Sequence, residues 1–122
     1  MSSSRKDLGK WGESVAAIRL ESKGFRIQER NWRCARGEID IVAYDGDELA
    51  FVEVKTRRGR ELGTPEEALT SQKGRKLIEL AQIYLSEKDI DADWRIDLVA
   101  IELDRTGKLI RCDHIPNAVL GW

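Results

Sequence analysis

The chain has 122 residues, of which 41% are hydrophobic and 35% are charged, with a formal net charge of −1. This length fits one domain, and the hydrophobic content favours a packed core over disorder. No apolar run approaches the roughly 20 residues of a membrane helix, and no secretory signal core is present, which predicts a cytoplasmic protein. We expect a single domain over residues 1–122, with residues 1–6 flexible.

The first half of the chain predicts one helix followed by three strands. Apolar residues recur at helical spacing over residues 7–23, and Gly24 is placed to end that helix. Apolar and polar residues alternate around Ile41, as in a strand that is buried on one face only. Asp45-Gly46 is a strong hairpin signal. The predicted strands cover residues 25–32, 38–43 and 49–56.

The second half predicts a loop, a helix and two strands. Residues 57–70 are charged and contain glycine, and Thr64-Pro65 is expected to open a short helical turn. Ser71 is a good N-cap residue for the helix that follows. The predicted elements are a helix over residues 71–86 and strands over residues 94–103 and 109–115. A strand, a helix and a strand in this order favour a parallel, right-handed crossover, hence a mixed α/β sheet flanked by helices.

Carboxylates and one lysine gather on the predicted hairpin. A two-residue loop at Asp45-Gly46 would place Glu38 opposite Glu53, whereas a loop over residues 45–48 would place Asp40 opposite Glu53. Both registers put the same four charged side chains on one face, because the two loops differ by an even number of residues. These side chains are Glu38, Asp40, Glu53 and Lys55.

Clustered carboxylates repel each other, so this face needs a shared proton, Lys55 or a bound cation. Carboxylate oxygens suit magnesium, which typically takes one or two of them together with water. Such an ion could activate water for attack on phosphorus, with Lys55 stabilising the negative charge that develops. A solvated sheet face with an ion-pair mesh of Asp40, Glu53 and Lys55 is the alternative, and the spacing alone leaves both open.

The chain resembles the YraN family of small bacterial predicted endonucleases over residues 8–103. That family lies within the PD-(D/E)xK, or restriction-endonuclease-like, superfamily, in which an Asp is followed about a dozen residues later by Glu-x-Lys. The segments that carry the resemblance are Gly9-Lys10-Trp11-Gly12-Glu13, Gly24-Phe25, Asn31-Trp32-Arg33, Gly37-Glu38-Ile39-Asp40, Phe51-Val52-Glu53-Val54-Lys55-Thr56-Arg57 and the helix over residues 73–85.

The resemblance implies an αβββαβ core with an additional C-terminal strand. It also implies a magnesium- or manganese-dependent endonuclease acting on DNA, in particular structured or branched DNA. Archaeal Holliday-junction resolvases are similar in layout and act as dimers, which raises a homodimer as an expectation.

The roles of individual residues follow from the same resemblance. Asp40 and Glu53 would be catalytic metal ligands, and Lys55 the lysine of the motif. Glu13 would be the acid of the first helix, although a salt bridge on the helix flank explains it equally well. Glu38 would be an outer-shell group or simply an exposed residue. Ile39 occupies the position directly before Asp40, where the PD-(D/E)xK motif has a proline.

Positive charge is concentrated near these residues. Residues 1–76 carry a balance of +3 and residues 77–122 a balance of −4. We expect Arg57, Arg58 and Lys73 to contact phosphates of a nucleic acid, with surface solubility as the equal alternative. Trp11 and Trp32 could stack on bases, but core packing is the prediction for both.

The sequence contains few other residues of the types that form metal or catalytic sites. Cys34 and Cys112 match no metal-ligand spacing, and we expect two free thiols on strands. His114 is the only histidine, which argues against zinc held by histidines and against histidine-based catalysis. Two further classes stay open: a nucleic-acid-binding module with this fold but little or no catalysis, and an interaction protein whose acidic face is only structural.

Overall fold

A computed structural model describes residues 5–119 of the chain. Its element order is the predicted one, with two helices and five strands. No helix among residues 5–119 has the length and apolar character needed to cross a membrane. The elements are α1 (Arg5–Ser22), β1 (Arg26–Cys34), β2 (Gly37–Asp45), β3 (Glu48–Arg58), a 3₁₀ turn (Glu66–Ala68), α2 (Ser71–Glu87), β4 (Trp94–Leu103) and β5 (Leu109–Ile115).

The five strands form one mixed sheet in the order β1-β2-β3-β4-β5. Neighbouring strands are antiparallel except for β3 and β4, which run parallel from Leu49↔Trp94 to Arg58↔Leu103. The parallel pair is the one connected through α2, because a parallel connection needs a crossover long enough to return the chain. The mixed α/β sheet and its additional C-terminal strand are therefore confirmed.

Each face of the sheet carries its own hydrophobic cluster. The α1 side buries Ala16, Leu20, Ile41, Val52 and Ile101 among others. The α2 side buries a second set around Val42, Phe51, Leu77, Leu80 and Tyr84. The prediction of a hairpin buried on one face only is thus wrong, because α2 crosses the sheet and covers the other face of β2 and β3.

Several predicted boundaries need correction. Residues 1–4 of the segment expected to be flexible lie outside the described residues, and Arg5 and Lys6 form the first turn of α1. The hairpin turn is Gly46-Asp47, since Asp45 pairs with Glu48.

The helix ends also differ in detail from the prediction. The N-cap of α2 is Thr70, whose side chain accepts a hydrogen bond from the Lys73 backbone at 3.2 Å, so Ser71 is the first helical residue. Gly24 follows the end of α1 with φ +92°, as predicted. Its N–H donates to the Glu21 carbonyl at 3.0 Å.

Candidate metal centre and its cleft

Asp40 lies where the β2–β3 ladder ends. The regular pairs run from Asp45↔Glu48 to Ile41↔Val52, which is the register that sets Asp40 opposite Glu53. The sequence offered two registers, and this is the second of them. At the next position the Asp40 carboxylate itself accepts a hydrogen bond from the Val54 backbone N–H, at 2.8 Å. The Asp40 side chain thus replaces the next backbone hydrogen bond between β2 and β3, and this contact with β3 fixes its orientation.

Asp40 and Glu53 form a pair of carboxylates within electrostatic range of each other. Burial is the largest influence on Asp40, and the negative charge of Glu53 acts in the same direction, so its pKa rises from 3.8 to about 8. The Val54 N–H opposes this rise but does not cancel it. The predicted repulsion between these carboxylates is therefore present.

Glu13 brings a third carboxylate within electrostatic range from α1. Its pKa is raised by partial burial and by the charges of Glu38 and Glu53, against the attraction of Arg30. Glu38 itself points to the surface, where it accepts a hydrogen bond from Arg33 Nε at 2.9 Å. Glu13 thus faces the carboxylate pair, while Glu38 acts on the site only through its charge.

The cation paired with Glu53 is Lys73, from the first turn of α2. Its Nζ lies 3.2 Å from Glu53 Oε2, and the Glu53 side chain is only 13% exposed. The predicted alternative was an ion-pair mesh of Asp40, Glu53 and Lys55. This mesh does not form, since Lys55 makes no hydrogen bond or ion pair with residues 5–119. Sequence reasoning missed the Lys73–Glu53 contact because it depends on where the crossover sets the start of α2.

The residues present fit a hard divalent cation with few protein ligands. Within residues 5–119, no three His, Cys, Asp or Glu side chains converge closely enough to form a complete ligand set. Two carboxylates are what magnesium or manganese typically takes, with waters filling the remaining positions. A structural zinc site would require four protein ligands, which these residues do not provide.

A cleft of about 870 Å³ opens beside the pair, between the start of α1 and the end of β3. Asp40 and Glu13 line one part of it, and Lys55 and Arg57 line its β3 wall. Within residues 5–119, two buried polar side-chain atoms lack a hydrogen-bond partner, Thr56 Oγ1 and Arg57 Nε, and both belong to residues lining this cleft. The other lining residues include Arg5, Leu8, Trp11, Val54, Arg58, Glu61, Leu62 and Leu103.

The loop after β3 supplies Gly59, Glu61 and Leu62 to the cleft, and it is anchored on β4 and β5. Arg60 donates two hydrogen bonds to Glu102, at 2.6 and 3.0 Å, and Glu102 is only 3% exposed. Arg111 joins Glu102 to Glu66 with bonds of 3.0 and 2.7 Å. The guanidinium groups of Arg60 and Arg111 hold the pKa of Glu102 below its usual value. No local sequence signal identifies this network, because its members are far apart in the chain.

The two tryptophans that were predicted to pack in the core have different environments. Trp32 is 4% exposed and packs edge-on against Tyr84, so core packing is confirmed for it. Trp11 is 41% exposed and lines the cleft, so the same prediction is wrong for Trp11. The helical spacing is correct, but the first turns of α1 border the cleft instead of the hydrophobic cluster on this face.

These elements define an α/β protein with the restriction-endonuclease-like αβββαβ core and a carboxylate pair at its central hairpin. The chain belongs to the uncharacterised protein family UPF0102, the YraN family, whose model matches residues 12–101. A UPF0102 protein of Roseiflexus castenholzii is 47% identical, with 98% of both chains covered. Relatives of the same name from Pelotomaculum thermopropionicum and Geobacter metallireducens are 45% and 44% identical, with 97% of this chain and 99% and 96% of theirs covered.

Proposed function

We propose that this protein is a metal-dependent endonuclease that hydrolyses phosphodiester bonds in DNA, in particular structured or branched DNA. The observation that carries the proposal is the Asp40–Glu53 pair. The pair lies at the end of a strand ladder, and Asp40 lines a cleft together with arginines and Lys55. A buried carboxylate with a strongly raised pKa in a cleft is typical of a functional site.

Asp40 and Glu53 would hold magnesium or manganese. The ion would polarise a phosphoryl oxygen and lower the pKa of a bound water. Val54 fixes the Asp40 carboxylate through its backbone N–H. Lys73 holds Glu53, and it keeps part of the negative charge neutralised before a cation arrives.

Lys55 would stabilise the negative charge that develops on the phosphate during attack. It lines the cleft without a protein partner among residues 5–119, so its ammonium group is available to a ligand. Arg57 and Arg58 follow it along β3 and would contact neighbouring phosphates. Glu13 faces the pair from α1 and would orient a water or a second cation.

A cleavage assay tests the proposal. Linear, single-stranded, flapped and four-way-junction DNA would be incubated with magnesium or manganese and wild type, Asp40→Ala, Glu53→Ala or Lys55→Ala. We expect metal-dependent cutting that falls at least about 100-fold in each variant, the size of effect seen when a preorganised charge-stabilising group is removed. Glu79→Ala, which changes an acid on the outer face of α2 paired with Arg36, is the matched control. Equal traces in wild type and variants would refute the proposal.

A nucleic-acid-binding module without catalysis is the second candidate. It is favoured by the cations that line the cleft, Arg5, Lys55, Arg57 and Arg58, since contacts to phosphates need no metal. Calorimetric titration with manganese separates the two candidates. Uptake that disappears in Asp40→Ala supports the nuclease, whereas DNA binding without any metal uptake supports the binding module.

A further inference from the structure

Trp11 is an exposed aromatic side chain inside the candidate catalytic cleft. It is 41% exposed and lines the same cleft as Asp40, Glu13 and Lys55. The other large hydrophobic side chains exposed among residues 5–119 are aliphatic, and of these only Leu62 borders the cleft. An indole ring in this position leaves part of its surface open to the cleft.

Cations that can meet phosphates line the cleft around Trp11, together with an equal number of acids. Arg5, Lys55, Arg57 and Arg58 line the cleft together with the ring. From Lys55 to Arg58 the strand advances by about 10 Å, so positive groups follow the cleft along its length. The acids of the lining are Asp7, Glu13, Asp40 and Glu61, and of these Glu61 is paired with Arg105 at 3.1 Å. A groove of cations with an aromatic platform is the common design of single-strand binding sites.

We infer that the cleft receives an unpaired nucleotide of a DNA strand, with its base stacked on Trp11. The inference deepens the proposed function and rests on it for the statement that the strand reaches Asp40. An unpaired base offers a free π-face to the ring, whereas in a duplex both faces of each base are covered by its neighbours. The preferred substrate is therefore DNA with a single-stranded segment at the cleavage position, such as a flap or an open junction, and not a continuous duplex.

Binding in EDTA tests the inference without any cleavage. A fluorescently labelled 12-nucleotide single strand and the same sequence as a duplex would be titrated with wild type, Trp11→Ala and Trp11→Phe. Stacking contributes about 1–3 kcal/mol per base, so Trp11→Ala should weaken single-strand binding by roughly 5- to 100-fold. Trp11→Phe keeps a ring and should stay within about 3-fold of wild type, and duplex binding should change by less than 2-fold in both variants.

The matched control is Ile18→Ala, which truncates a 68% exposed side chain on the same helix outside the cleft. It should bind both DNAs like wild type. Circular dichroism and thermal unfolding establish that each variant is folded. Should Trp11→Ala not fold, Trp11→Leu removes the ring while keeping most of the apolar volume, and the same loss is expected.

Three results would overturn the inference: single-strand binding unchanged in Trp11→Ala, an equal loss in Trp11→Phe, or an equal loss for duplex and single strand. The outcome of this binding experiment does not depend on whether the protein cuts DNA. Binding that depends on Trp11 in a protein that never cuts DNA refutes only the nuclease. A metal-dependent nuclease that is indifferent to Trp11 refutes only the stacking site.

Discussion

The folded state disfavours the ionised form of Asp40, which therefore lowers the free energy of unfolding. Its carboxyl group lies next to Glu53, and burial with that neighbouring charge raises its pKa to about 8. A raised pKa means that the native state binds the proton more tightly than the unfolded chain does. The associated stabilisation is fully present below about pH 3.8 and is lost as the pH rises through 8.

Asp40→Asn should therefore stabilise the protein in EDTA at alkaline pH. The amide removes the charge and its carbonyl oxygen can still accept the Val54 N–H. We expect the variant to exceed wild type by on the order of 2 kcal/mol at pH 9, and to lose this advantage towards pH 4. Urea unfolding at several pH values measures it. A difference that does not change with pH would contradict the assigned pKa.

Asp97 contrasts with Asp40, because its charge is fully compensated. It is completely buried on β4, yet it accepts hydrogen bonds from Arg95 Nε at 2.9 Å and from the Asn117 backbone at 3.0 Å. His114 Nε2 lies 2.8 Å from the same carboxylate. Burial alone would raise the pKa of Asp97, but His114, Arg95 and Asn117 together lower it.

Asp97→Asn should destabilise the protein by about 3 kcal/mol at pH 7, because it removes the fully buried countercharge of a buried guanidinium. Arg95 keeps its bonds to Glu48 and Asp45, which limits the loss. Urea denaturation provides the measurement. Glu38→Gln is the comparison, since the Glu38–Arg33 pair is largely exposed and should be worth no more than about 0.5 kcal/mol. Similar losses in both variants would mean that Asp97 is not compensated as described.

At the scale of elements, the contact between α1 and β3 depends on a glycine. A Cβ atom added to Gly12 would lie 2.0 Å from Thr56 Oγ1 and 3.2 Å from Thr56 Cβ. This close approach lets α1 lie low enough on the sheet for Glu13, the next residue, to face Asp40 from the helix.

Gly12→Ala should cost about 1–3 kcal/mol, the usual range for overpacking a well-packed contact. Adding Thr56→Ala removes the clashing oxygen and should recover a large part of the loss. Thermal unfolding of both single variants and the double variant forms the test. Additive losses in the double variant would show that the two residues do not meet.

At the scale of the whole molecule, the two cysteines lie on opposite edges of the sheet. Cys34 is in β1 and Cys112 in β5, and both are free thiols, as predicted. Four strand spacings of about 4.8 Å separate these edges by roughly 19 Å, far beyond the 7 Å limit between the Cα atoms of a disulfide.

Cys34→Ser, Cys112→Ser and wild type should accordingly show the same midpoint of thermal unfolding, within about 2 °C, with and without reductant. Calorimetry of the three proteins in both conditions is sufficient. A reductant-dependent shift in wild type that disappears in both variants would require the two edges to meet.

The sequence by itself determined the order of the elements and several of their bounds. β4 and β5 have the predicted limits, and the parallel β3–β4 pair follows from a strand, helix, strand order. These features depend on local periodicity, turn residues and chain connectivity, all of which are readable along the chain. The sequence also put Asp40, Glu53 and Lys55 on one hairpin, with two registers open.

Tertiary structure decided which register forms and what surrounds the carboxylates. The burial of Val42 and Phe51 under α2, the Lys73–Glu53 ion pair and the exposure of Trp11 all depend on where the helices lie over the sheet. Such contacts join residues far apart in sequence, and the periodicity of one element carries no information about them. The raised pKa of Asp40 has the same origin, because only the folded chain brings burial, Glu53 and Glu13 together.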